Sequence, residues 1–141
     1  MSTHTYQCLS PAGWGIFVQL AAVTEWTAAM PLLGEPVSGR VWLDLSEVRD
    51  AGHGTPMPLS PGEAQWLRFG LGWIAPRIEA AIGRGHVLVT VRTLKLARCD
   101  YQEEGLAAAL VGWAVDEFAL PQPRLGVGYE PGTRRYTFTW D

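Results

Sequence analysis

His53 stands between Gly52 and Gly54, close after Asp50, in the glycine- and proline-rich stretch 50–62. An imidazole beside a carboxylate in such a loop is the arrangement of a general base or a ligand contact, provided that a substrate proton comes within reach. A solvated turn has the same composition and is the plainer reading. Cys99 is the second candidate, because it directly precedes a helix start, where unpaired backbone amides lower a thiol's pKa and raise its reactivity. Asp100, Glu103 and Glu104 oppose that by placing negative charge at the same point, and helix capping accounts for all three carboxylates. His4, His53 and His86 are isolated from one another, and no pair has the spacing of metal ligands. There is no G-x-S-x-G elbow and no phosphate-binding glycine loop with its lysine. The ligand or loop candidates are therefore Asp50, His53 and Cys99, and no catalytic residue, metal or cofactor is assigned.

The tryptophans carry a different message. Seven in 141 residues exceed what one core needs, since an indole is rarely fully buried and its N–H requires a partner. Trp66, Trp73 and Trp113 fall on helices and read as core or core edge. Trp14, Trp26, Trp42 and Trp140 fall in a turn, an ambiguous element and two strands, with Trp42 on the face opposite Val41, Leu43 and Leu45. Aromatic residues at low charge density resemble the centre of a protein interface, so these four are the interface candidates.

The balance of charge narrows the partners. Eleven basic and fourteen acidic side chains give a net charge of −3, whereas a nucleic-acid binder needs a positive footprint. Arg92, Lys95 and Arg98 form the best basic stretch, and acidic residues follow it at once. The charged share of 18% is below the usual value of roughly 25%, which leaves a weakly charged surface. Neither cysteine sits in a C-x-x-C pair, no secretory leader opens the chain, and no apolar run is long enough to span a bilayer. A single domain over residues 1–141, in a reducing cytoplasmic setting with free thiols, is expected.

Elements must position these side chains. Residues 1–15 read as a polar, turn-rich arm with His4 in a frayed terminus. Ile16–Val23 suits a buried strand, or a short helix running on to Met30. Residues 41–45 alternate as a strand. Ser60, Pro61 and Glu63 form a capping box with proline at the first helical position. Leu67, Leu71, Ile74, Ile78 and Ile82 then make one apolar stripe, widened by Trp66, Phe69 and Trp73, and Pro76 is expected to kink or divide this helix. Residues 86–92 form the best strand, with extension through Leu96. A second amphipathic helix is expected to start at Asp100 and to stop before Pro121 and Pro123. A hairpin closes the chain, with Tyr136, Phe138 and Trp140 on one side. The fold expected is α+β, a two-layer sandwich whose four- or five-stranded sheet carries both amphipathic helices on one face.

The strand Val41-Trp42-Leu43-Asp44-Leu45, the helix start Leu59-Ser60-Pro61-Gly62 and the helix end Ile78-Glu79-Ala80-Ala81-Ile82-Gly83-Arg84-Gly85 resemble the fourth domain of translation elongation factor G. The strand Val87-Leu88-Val89-Thr90-Val91-Arg92 and the helix Leu106-Ala107-Ala108-Ala109-Leu110 follow in the same order. Over residues 41–118 the resemblance implies the left-handed βαβ unit of the ribosomal protein S5 second-domain fold. That family carries a His-x-x-Asp-Ser-Ser-like element where this chain has Leu96–Glu104, and only Asp100 matches it. These 141 residues also hold no GTPase domain, so translocation activity is not carried over.

The leading functional expectation is a non-catalytic accessory protein that binds another protein, or itself as a homodimer, through an aromatic surface. A small-molecule-binding protein or enzyme with a pocket near loop 50–62 is the first alternative. Ribosome or structured-RNA binding is the second, and it requires Arg92, Lys95 and Arg98 to meet Arg134 or Arg135 in space.

Overall fold

A computed structural model of the chain describes residues 1–10, 13, 15–97 and 99–141. Among these, strands β1 (Ser2–Leu9), β2 (Gly15–Thr27), β3 (Glu35–Pro36), β4 (Val41–Asp44) and β5 (Arg49–Asp50) precede helix α1 (Pro61–Ile82). Strand β6 (His86–Leu96), helix α2 (Glu104–Phe118) and the hairpin β7 (Leu125–Glu130) and β8 (Arg135–Trp140) complete the chain.

The valine-rich run Val87–Val91 is buried throughout, as suits a strand covered on both faces, and β6 is the centre of the sheet. It pairs antiparallel with β2 on one side and parallel with β4 and then β5 on the other. The order is β1-β2-β6-β4-β3, with β5 beside β6. Ala21 and Ala22 face Thr93 and Val91, so Arg92 is the extra residue of a bulge. Val18, Leu20, Val41, Leu43, Val89 and Val91 from one face of this mixed six-stranded sheet join Leu67, Leu71, Ile74, Ile78, Leu106 and Leu110 in a single core. Each fully buried aliphatic side chain contributes about 1.5–3 kcal/mol.

The six strands exceed the four or five expected, for two reasons. Ser2–Leu9 is not an arm but an edge strand in unbroken register with β2, from Ser2 opposite Ala22 to Leu9 opposite Gly15. Its Ser, Thr, His and Gln content hid the period of two, in which Ser2, His4, Tyr6 and Cys8 turn inward. His4 is correspondingly not frayed: its Nδ1 lies 2.9 Å from Asp116 Oδ2. The two-residue strands β3 and β5 are too short for any periodicity to reveal. Residues 15–27 are a strand, which resolves the strand-or-helix ambiguity, and the hairpin forms a two-stranded sheet of its own.

Helix α1 begins as its sequence dictates. Ser60 Oγ accepts from the Glu63 N–H at 3.1 Å, and Glu63 Oε1 accepts from the Ser60 N–H at 2.9 Å. Gly83 ends it at φ 76°, a conformation that favours glycine. The helix runs unbroken through Pro76, so of the expected kink or division the division does not occur. Pro76, having no N–H, leaves the Gly72 carbonyl without its helical donor.

Helix α2 departs from expectation twice. It starts at Glu104, and Glu103 at its N-cap makes no side-chain capping bond. Asp100 is held elsewhere, its carbonyl accepting from the Phe17 N–H at 2.8 Å. Nor is α2 amphipathic, because Gly105–Val111 and Trp113–Val115 are all buried. A helix that is apolar all round must be enclosed, and α2 packs on β1 and β2 of the sheet and against α1. A Cβ on Gly70 would stand 2.7 Å from the Ala107 carbonyl oxygen, so the two helices touch backbone to backbone. Gln102 fixes the hairpin: its amide donates to the Tyr136 carbonyl at 2.7 Å and accepts from the Tyr136 N–H at 2.9 Å. One side chain thus acts as a strand partner for β8.

Candidate functional site

Trp66, Phe69 and Trp73 recur at spacings of three and four along α1, on the flank of its buried stripe, and so share one face of the helix. β8 brings Trp140 onto that face. Phe69 meets Trp66 edge-on at 5.5 Å between ring centroids and Trp140 at 5.0 Å, and Trp73 meets Trp140 at 5.2 Å. Phe138 stacks on Trp140 at 5.9 Å and reaches Tyr6 at 6.4 Å. The result is a continuous line of six aromatic rings from α1 across β8 to β1. Phe69 is 40% exposed, and the other five are half-buried. Edge-to-face pairs of this kind add about 0.5–1.5 kcal/mol each beyond their burial, so the cluster holds a fixed shape while presenting aromatic surface to solvent.

Its inner end is drier. Burial raises the Tyr6 hydroxyl above its ordinary pKa, with the nearby Cys8 adding to the effect. Burial likewise raises Tyr136, again with Cys8 contributing. Both phenols are held neutral where the hairpin meets β1.

Of the tryptophans singled out from sequence that are among the described residues, only Trp140 belongs to this cluster. Trp14 lies outside the described residues. Trp26 is 56% exposed but stands apart, with its indole N–H donating to the Arg84 carbonyl at 2.9 Å. Trp42 is half-buried on the far face of the sheet, and its enclosed indole N–H has no partner among the described residues. Trp66 and Trp73, read from sequence as core or core edge, do pack against the edge of the core, and with the exposed Phe69 they also form the outer cluster. The signal was present as an apolar face wider than one neighbouring helix can cover.

Asp50 and His53 come together, with Nδ1 and Oδ1 3.4 Å apart, but the His53 side chain is 81% exposed. Asp50 serves its own loop: Oδ1 accepts from the Gly52 N–H at 2.7 Å and the His53 N–H at 3.2 Å. The first of these bonds does most to hold its carboxyl below the ordinary range. Cys99 is exposed and lines a cleft of about 100 Å³ that neither Asp50 nor His53 borders, shared with Tyr101, Gln102, Arg134 and Arg135. Both cysteines are free. No group of three or more His, Cys, Asp or Glu side chains suited to a metal ion occurs among the described residues, and no helix there is long and apolar enough to cross a membrane.

Loop 50–62 does border a groove of about 830 Å³, but through Met57 and Leu59 rather than Asp50 or His53. Leu33, Leu43 and Val48 form its apolar wall, and Arg68, paired with Glu35, stands at its margin. Among the basic residues, Arg135 binds Glu104 at 3.3 Å on the helix side. Lys95 alternates with the buried Leu94 and points away from that side. Arg98 lies outside the described residues.

No protein-family model matches this chain, and comparison with the curated proteins and with the solved structures finds no match either.

Proposed function

We propose that the protein is a non-catalytic accessory protein that binds another protein through the aromatic surface of α1 and β8. The observation that carries the reading is the line of rings through Trp66, Phe69, Trp140 and Trp73, fixed edge to face and open to solvent at Phe69. Rigid aromatic anchors lose little conformational freedom on binding and dominate interface energetics. Free Cys8 and Cys99 are in keeping with work in a reducing cytoplasm. The succession β4, α1, β6, α2, with β4 and β6 as parallel neighbours, supports reading residues 41–118 as S5 second-domain-like.

The test is affinity capture from the protein's own host with wild type and Phe69→Ser, after circular dichroism has shown both to be folded. A specific protein retained by wild type and lost by the variant is the expected result. Identical captured sets would end the reading.

A second reading, small-molecule binding, is favoured by the groove beside Met57 and Leu59, whose volume falls in the range of ligand sites. Native mass spectrometry of the protein purified from its host decides it. A copurifying small molecule that disappears in folded Met57→Trp, which narrows the groove from its half-buried rim, would replace the first reading.

A further inference from the structure

The two edges of the sheet are finished in opposite ways. The β3 edge is two residues long, contains Pro36 and presents Glu35 paired with Arg68. Short length, proline and charge are the devices by which proteins prevent an edge from recruiting another strand. The β1 edge has none of them. Its eight residues, Ser-Thr-His-Thr-Tyr-Gln-Cys-Leu, include no Asp, Glu, Lys, Arg or Pro. They run in register with β2 without a bulge. On the outer side no other strand pairs with β1 among the described residues, although every second residue of an edge strand turns its backbone N–H and C=O outward.

We infer that β1 pairs antiparallel with β1 of a second copy, joining two six-stranded sheets into one across a two-fold axis normal to the sheet. This edge adjoins the aromatic line only at Tyr6, whose ring turns inward, while Phe69 lies beyond Phe138 and Trp140. Three observations favour a second copy over a foreign strand. Pairing β1 with itself satisfies both open edges at once and leaves the joined sheet ending in the guarded β3 edge on each side, whereas a lone added strand exposes a new edge. The strand carries no formal charge from Asp, Glu, Lys or Arg, so a self-pair brings no such like charges opposite one another. Its side chains also suit a symmetric register. Directly opposed residues must share a face, and with Thr5 on the axis the outer face pairs Thr5 with Thr5 and Thr3 with Gln7, contacts of hydrogen-bonding side chains. The exposed Leu9 of each copy then lies against the start of the other strand. A Tyr6-centred register would instead oppose two tyrosines already engaged with Phe138.

Sedimentation velocity of wild type should give twice the mass of the chain, and Thr5→Lys, which sets two ammonium groups face to face, should give the chain mass with an unchanged circular dichroism spectrum. Thr5→Cys in a Cys8→Ala, Cys99→Ser background should form a cross-linked dimer under mild oxidation, because opposed Cβ atoms stand about 4.5–5.5 Å apart. Thr3→Cys in that background, opposite Gln7, should not. The cross-link keeps the inference testable if Thr5→Lys fails to fold. A wild-type monomer at the highest workable concentration, or a dimer that persists in folded Thr5→Lys, would overturn it. Phe69→Ser should leave the dimer intact, so failure here and failure of the aromatic reading are told apart.

Discussion

The two helices sit side by side on one sheet and meet at Gly70 and Ala107, yet they present opposite problems to solvent. α2 is enclosed: the sheet lies beneath it, α1 beside it, and the hairpin is anchored at its start through Gln102 and Tyr136. α1 turns only one stripe, Leu67, Leu71, Ile74 and Ile78, into the core. Its next stripe is aromatic and receives Trp140 from the edge of the hairpin, which leaves Phe69 open. An apolar helix face is silent where a further element covers it and becomes a surface with binding capacity where that cover stops.

The largest effect should come from the enclosed helix. Trp113 is 1% exposed, and its indole N–H donates to Ser2 Oγ at 2.9 Å. Trp113→Ala should therefore cost about 3–5 kcal/mol in urea unfolding. A loss below about 1 kcal/mol would mean that α2 is not the packed centre described here. Gln102→Ala comes next, since it strands the N–H and C=O of buried Tyr136. About 1–3 kcal/mol should be lost, and tryptophan fluorescence should report freeing of Trp140 from the face of α1. Unchanged stability would show that the hairpin holds without this anchor.

Alkaline titration sharpens the same boundary. Tyr6 and Tyr136 have pKa values raised in the folded state, chiefly by burial. Their contribution is therefore complete below the unfolded phenol value of about 10 and declines as pH climbs from there through the higher folded values. Unfolding midpoints should fall above about pH 10, and Tyr6→Phe should flatten the fall. The smallest stability effect belongs to the open surface: Phe69→Ser should cost about 1 kcal/mol while removing partner binding. A cost as large as that of Trp113→Ala would make Phe69 a core residue and erase the contrast between the helices.

How much could be read in advance follows the range of each signal. The capping box at Ser60 and Glu63, the valines of β6 and the alternating aromatics of β8 act within a few residues, so the chain announces these elements itself. The candidate surface was half legible. Trp140 was singled out, but Trp66, Phe69 and Trp73 looked like one more part of an amphipathic face. Asp50 and His53 were placed together, since they share a loop, while Cys99 lines a cleft that neither of them borders.

What the sequence determined by itself is therefore the set of local elements: one capped helix, a central strand, a second helix and a closing hairpin. Tertiary structure alone decided that polar Ser2–Leu9 joins the sheet, that α2 is buried all round, and that the hairpin stops short of covering Phe69. Caps, turns and periods are energies of neighbours along the chain. Strand pairing and exposure depend on surfaces brought from far away in sequence, as when Gln102 takes Tyr136 for a partner, and no local pattern encodes where such a cover ends.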